Sequence, residues 1–117
     1  MHIEIKGRNV AVTDDLRAHV EKRFGKVGKQ VSPLARLEVA LIEETGRPAA
    51  ERHVAEATLV LKGVTLRARD ASTDLVHSLN LCSDELARQV KRHRDKRRAR
   101  RVARAAAREP GEAPATG

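Results

Sequence analysis

The stretch Glu56-Ala57-Thr58-Leu59-Val60-Leu61-Lys62-Gly63-Val64-Thr65-Leu66-Arg67-Ala68-Arg69 decides the fold. Ala57, Leu59 and Leu61 alternate with Glu56, Thr58 and Val60, and beyond Lys62-Gly63 the pattern resumes with Val64, Leu66 and Ala68 against Thr65, Arg67 and Arg69. A period of two marks a strand with one buried face. A two-residue joint ending in Gly marks a hairpin. The outer face of the second of these strands is basic.

The same reading extends in both directions. Upstream, Leu37, Val39 and Leu41 alternate with Glu38, Ala40 and Ile42, which predicts another strand, joined to the hairpin by the polar connection 43–52 around Gly46-Arg47-Pro48. Before it, Leu16, Val20, Phe24 and Val27 recur at spacings of four, four and three. That is one apolar stripe of a helix. Thr13 suits its N-cap, Asp14 and Asp15 sit where the helix dipole favours acids, and Ser32-Pro33 stops it. Lys22, Lys26 and Lys29 fall opposite the stripe. Ile3 and Ile5 predict a short first strand, ended by Gly7-Arg8-Asn9. Downstream, Ser72 or Thr73 is the expected cap of a second helix, with Asp74 in its first turn and Leu75, Leu79, Cys82, Leu86 and Val90 as its stripe. Past Val90 the stripe ends, while Lys91, Arg92, Arg94, Lys96, Arg97 and Arg98 point in all directions. A helix polar on every side has no core to hold it, so this end is expected to project from the domain and fray.

The predicted order is β-α-β-β-β-α. Three consecutive strands form an antiparallel meander, and two one-striped helices cover one face of a four-stranded sheet. The fold class is an α+β two-layer sandwich. Residues 1–104 are expected to form one domain with a projecting basic helix end, and 105–117, rich in Pro and Gly, a flexible tail or linker.

Composition narrows the function. Phe24 is the only aromatic residue, so the core must be aliphatic. The net charge is +8, and all of it lies after residue 87: thirteen Lys/Arg balance thirteen Asp/Glu in 1–87, whereas eleven face three in 88–117. Such asymmetry calls for a polyanionic partner. The lone Cys82 and the lack of a basic leader followed by an apolar run suggest the cytoplasm, with no membrane partner. No catalytic, metal-binding or cofactor constellation stands out. The five histidines include no pair three or four apart, Cys82 falls on an apolar stripe as a small hydrophobe, and Gly25-Lys26-Val27-Gly28 follows no strand. No small-molecule substrate and no enzyme activity are expected. Single-strand binders stack bases on aromatic rings, and this chain has none to spare. A folded RNA or a duplex is the expected ligand, held by Lys and Arg on its phosphates.

Two stretches carry a family resemblance. They are Gly7-Arg8-Asn9-Val10-Ala11-Val12-Thr13-Asp14-Asp15-Leu16-Arg17 and Leu86-Ala87-Arg88-Gln89-Val90-Lys91-Arg92-His93-Arg94-Asp95-Lys96. With the element order, they resemble the ribosome hibernation promoting factor / protein Y (ribosome-associated inhibitor A) family over about residues 1–100. The resemblance implies a double-stranded-RNA-binding-like fold. It also implies binding to the small ribosomal subunit and its ribosomal RNA, in the tRNA and mRNA channel near the decoding centre. There the protein would compete with tRNA and mRNA and inhibit translation. The matching RNA-binding positions are Arg23, Lys26 and Lys29 on the first helix and Arg88, Lys91, Arg92 and Lys96 on the second. Charge alone adds Lys22, Arg94, Arg97 and Arg98. The chain departs from the family's Asp-x-Tyr-x-Ala-Ile-Asp opening of the second helix. Asp74 is kept, Val76 stands for Tyr, Ser78 for Ala, and Leu79-Asn80 for Ile-Asp. Long forms of the family carry a further C-terminal domain that pairs ribosomes; this chain reads as a short form or as lacking that domain.

The alternative is a generic nucleic-acid binder that grips phosphates anywhere, which explains the charge but not the two motifs. Under either reading affinity falls steeply with salt. Several phosphate contacts imply a loss of roughly a thousandfold between 50 and 200 mM salt, measurable by filter binding or anisotropy; a salt-insensitive complex contradicts the electrostatic account.

Overall fold

A computed structural model describes residues 1–108. The elements follow the expected order: β1 (His2–Arg8), α1 (Asp14–Gly28), β2 (Arg36–Glu43), β3 (His53–Leu61), β4 (Val64–Ser72) and α2 (Leu75–Arg108), with a single 3-10 turn at Ala49–Glu51. The sheet order is β1-β2-β3-β4. β2, β3 and β4 form the expected antiparallel meander. β1 pairs in parallel with β2, Ile3 beside Leu37 and Ile5 beside Val39, so the sheet is mixed. Parallel neighbours need a crossover, and α1 supplies it. The Lys62-Gly63 hairpin closes with Leu61 opposite Val64 and Gly63 at φ +81°.

One core holds the two layers together. Val20, Phe24 and Val27 of α1 and Leu79, Cys82, Leu86 and Val90 of α2 are buried with Leu37, Val39, Leu41, Ala57 and Leu59 of the sheet. Both stripes therefore lie on one face, as their periodicity requires. A smaller apolar site lies outside this cluster. Ile42 and Val54 face each other across β2 and β3 and are also buried. The 3-10 turn contacts β3 and β4 in that region, so the polar connection folds over the second face of the sheet.

The end of β1 explains the first motif. A Cβ on Gly7 would stand 2.4 Å from the Val10 carbonyl oxygen, which only glycine allows. Asn9 has φ +59°, a left-handed conformation that Asn tolerates, and its Nδ2 donates to the Glu43 carbonyl at 3.3 Å. Thr13 then caps α1, its Oγ1 accepting from the Leu16 amide at 3.2 Å.

The start of α2 corrects the sequence reading. Asp74 itself is the cap: its Oδ2 accepts from the His77 amide at 3.0 Å. Ser72 sits two residues earlier and accepts from the Asp74 amide at 3.2 Å. A carboxylate satisfies an orphan helix donor as well as a hydroxyl does and adds its charge to the dipole interaction.

Val90 is the last buried residue of α2. Of residues 91–107 only His93 is half-buried and the others are exposed. Residues 105–108, assigned to the tail above, belong to the helix; the rest of that tail, 109–117, lies outside the described residues. Backbone amides of 91–107 are expected to exchange with solvent much faster than those of 79–90, because no packed side chain closes them off. Equal protection along the helix, read by hydrogen–deuterium exchange, would refute this.

Candidate nucleic-acid interface

The contacts between the helices set the geometry of the basic surface. His19 Nε2 lies 2.8 Å from Asn80 Oδ1, and Arg23 reaches Asp84 Oδ1 at 3.0 Å. Further along, Arg94 donates to Gln30 Oε1 at 3.1 Å. The partners advance together along both chains, so α1 and α2 run in the same direction. Their N-terminal ends, with Asp14, Asp15 and Asp74, share one end of the molecule. Lys26 and Lys29 at the end of α1 lie beside the basic half of α2. Charge is thus segregated along the helix pair, and the cations gather where the dipole of α1 ends.

Among the expected site residues, Lys22, Lys26, Lys29, Lys91, Arg92, Arg94, Lys96, Arg97 and Arg98 are exposed, and none makes an ion pair among the described residues. Arg94 is tied only to the neutral Gln30. Unpaired cations that close together repel one another, and the arrangement is relieved by an external anion.

Two expected residues are differently placed. Arg23 is half-buried, and its guanidinium donates to Ser83 Oγ at 3.3 Å, the Asn80 carbonyl at 3.4 Å and Asp84 at 3.0 Å. It holds the two helices in register. Arg88 is exposed but stands 3.5 Å from Glu85, whose Oε2 is buried without a hydrogen bond. Arg88 also faces Asp70. Burial, then the nearby Glu85, push the Asp70 carboxyl above its usual range, and Arg88 opposes both. Part of the Arg88 charge is therefore spent on acids under α2. On the basic outer face of β4, Arg69 is paired as well, bridging Glu44 at 3.1 Å and Glu56 at 2.9 Å, whereas Arg67 makes no ion pair among the described residues.

The departures at the start of α2 are accommodated. Ser78 is buried and donates to the His53 carbonyl at 2.6 Å. Asn80 is the residue that meets His19, and Val76 is exposed. In the second motif Leu86 and Val90 enter the core while Gln89 donates to the Arg67 carbonyl at 2.7 Å, binding α2 to the edge strand. Cys82 is buried against the Ala68 carbonyl, and burial pushes its thiol up to about 12, the state of a packed hydrophobe rather than a nucleophile. Among the described residues no cluster of three or more metal-ligating side chains occurs, and no helix is long and apolar enough to cross a membrane.

The chain belongs to the Sigma 54 modulation protein / S30EA ribosomal protein family, whose model matches residues 3–98. It is 32% identical over 97 residues to a ribosome hibernation promotion factor of Picosynechococcus sp., covering 82% of this chain and 50% of the relative. A ribosome hibernation promotion factor of Lactococcus lactis is 35% identical over 96 residues, 77% of this chain and 48% of that one. The chain thus spans about half the length of these curated relatives. The N-terminal domain of Thermus thermophilus Protein Y superposes with a TM-score of 0.69 at 29% identity, over 80% of this chain and 99% of that one.

The division of labour among the arginines and lysines is measurable in the isolated protein. Arg23→Ala is expected to lower stability by about 1–2 kcal/mol, because it strands buried partners on α2. Lys26→Ala, at an exposed unpaired site, is expected to change it by less than about 0.5 kcal/mol. Urea denaturation showing the reverse order would remove Arg23 from its structural role.

Proposed function

We propose that this chain is a ribosome hibernation factor acting in the cytoplasm, not an enzyme. Residues 1–104 bind the small ribosomal subunit through its ribosomal RNA, in the channel for tRNA and mRNA near the decoding centre. Occupying that channel excludes both ligands and holds translation off. The observation that carries this reading is the run of unpaired cations on two parallel helices of a family whose relatives are named for ribosome hibernation. Lys22, Lys26 and Lys29 from α1 and Lys91, Arg92, Arg94, Lys96, Arg97 and Arg98 from α2 are the phosphate ligands. Arg88 contributes from the edge of this surface, and Arg23 acts mainly by fixing the angle between the helices. The α1 lysines sit on a helix fixed by the core and lose little entropy when the RNA docks, whereas the α2 cations beyond Val90 are ordered by the contact itself.

The direct test is co-sedimentation with purified ribosomes at low and moderate salt, with tRNA as competitor. The parent chain is expected on the small subunit and is displaced by tRNA. The variant Lys26→Ala/Lys29→Ala/Arg88→Ala/Arg92→Ala is expected to lose binding by at least a hundredfold while keeping its helical circular dichroism. Equal affinity for random duplex DNA and for ribosomes would instead identify a generic nucleic-acid binder.

A further inference from the structure

The face of α2 that enters the core does not end at Val90. Its helical continuation is His93/Arg94, Arg97 and Arg101, at the same spacing of three or four. These side chains form one wall of a cleft of about 880 Å³. Its apolar lining comes from the loop after α1 and from the end of β3: Val31, Leu34, Ala35 and Leu61. Leu34 is 89% exposed, which makes it one of the few large apolar side chains in solvent among the described residues. No carboxylate lines the cleft, whereas Arg36 and Lys62 add charge at its rim.

Where the core stripe would run on as Leu or Val, the chain places arginines above an uncovered apolar surface. Arginine stems lie along such a surface and keep the guanidinium at its edge. The fitting ligand is therefore both flat and apolar and strongly anionic. We propose that this cleft receives a single unpaired nucleotide extruded from a folded RNA. The base packs on Leu34 and against guanidinium planes, and the flanking phosphates pair with Arg97 and Arg101. Bases displaced from a helix are commonly held in this way, by planes and edges rather than by grooves. The volume falls within the range of pockets that take ligands of this size. RNA is favoured over an acidic peptide because Arg94 and Arg97 belong both to the cleft and to the exposed cationic surface of α2, so one strand can run from one to the other. The proposal rests on the RNA-binding reading above and adds a site for a base, in a protein without aromatic rings to spare for stacking.

The test uses the full chain and two RNA duplexes of about 12 base pairs, identical except for one bulged adenosine, with small subunits as a parallel ligand. The parent is expected to bind the bulged duplex about tenfold more tightly than the plain one. Leu34→Gln alters only an exposed side chain, and it is expected to erase that preference while leaving the plain duplex unchanged. Equal affinity of the parent for the two duplexes overturns the proposal, as does a preference that survives in the variant. Tighter binding at Leu34 by an acidic amphipathic peptide than by the bulged duplex, seen by amide shifts, also overturns it. The hibernation reading fails separately: a parent that prefers the bulged duplex yet ignores small subunits keeps the cleft and loses the ribosome.

Discussion

Burial of two aliphatic helix stripes on one face of a single sheet is the constraint from which the remaining features descend. With Phe24 as the only aromatic residue, the core must be closed by many Leu, Val and Ala contacts, and both helices must lie flat on the strands to make them. The parallel crossover from β1 to β2 sets the direction of α1, and the meander returns the chain so that α2 runs alongside it. Two helices packed in this way add their end charges. Acids of the first turns and caps collect at one end of the layer, and lysines and arginines at the other.

Within that frame the cations serve two purposes, and burial separates them. Arg23 faces inward and loses most of its water, so its value lies in the α2 groups it satisfies. Arg88 and Arg69 compensate carboxylates that the fold has brought close. The remaining cations of the helix pair make no ion pair among the described residues and stay exposed. Their repulsion is a standing cost of the free protein, and their release by phosphate is the gain on binding. Stability and recognition thus draw on different members of one residue type.

Much of the fold was legible in the sequence because its signals are local. Period-two runs at 37–42 and 56–69 and the stripes of Phe24 and Leu79 each declare their own buried side. The cap of α2 was misplaced by a residue or two because Ser72, Thr73 and Asp74 are all competent and only the backbone path selects among them. The parallel partner of β1 has no local mark. Nor does the burial of Val54, which depends on a polar connection folding over it. At the site, the exposed lysines and arginines were legible from charge and helical phase. The inward role of Arg23 was not, since it rests on Asn80, Ser83 and Asp84, about sixty residues away. The arginine-walled cleft was hidden for the same reason: its floor comes from the regions around residues 34 and 60, and its wall from beyond 90.

The unpacked half of α2 has a consequence for timing. A helix of 34 residues is about 51 Å long, and close to half of that length stands clear of the core. It adds little to the equilibrium stability of the domain. Instead it enlarges the target that a polyanion meets by diffusion, and its field reaches about a Debye length farther at physiological salt. First contacts made there hold the partner while the rigid helix pair swings into register, so capture can be fast even when the final fit is demanding. Division of one helix into a packed half and an extended half thus separates the speed of arrival from the strength of residence.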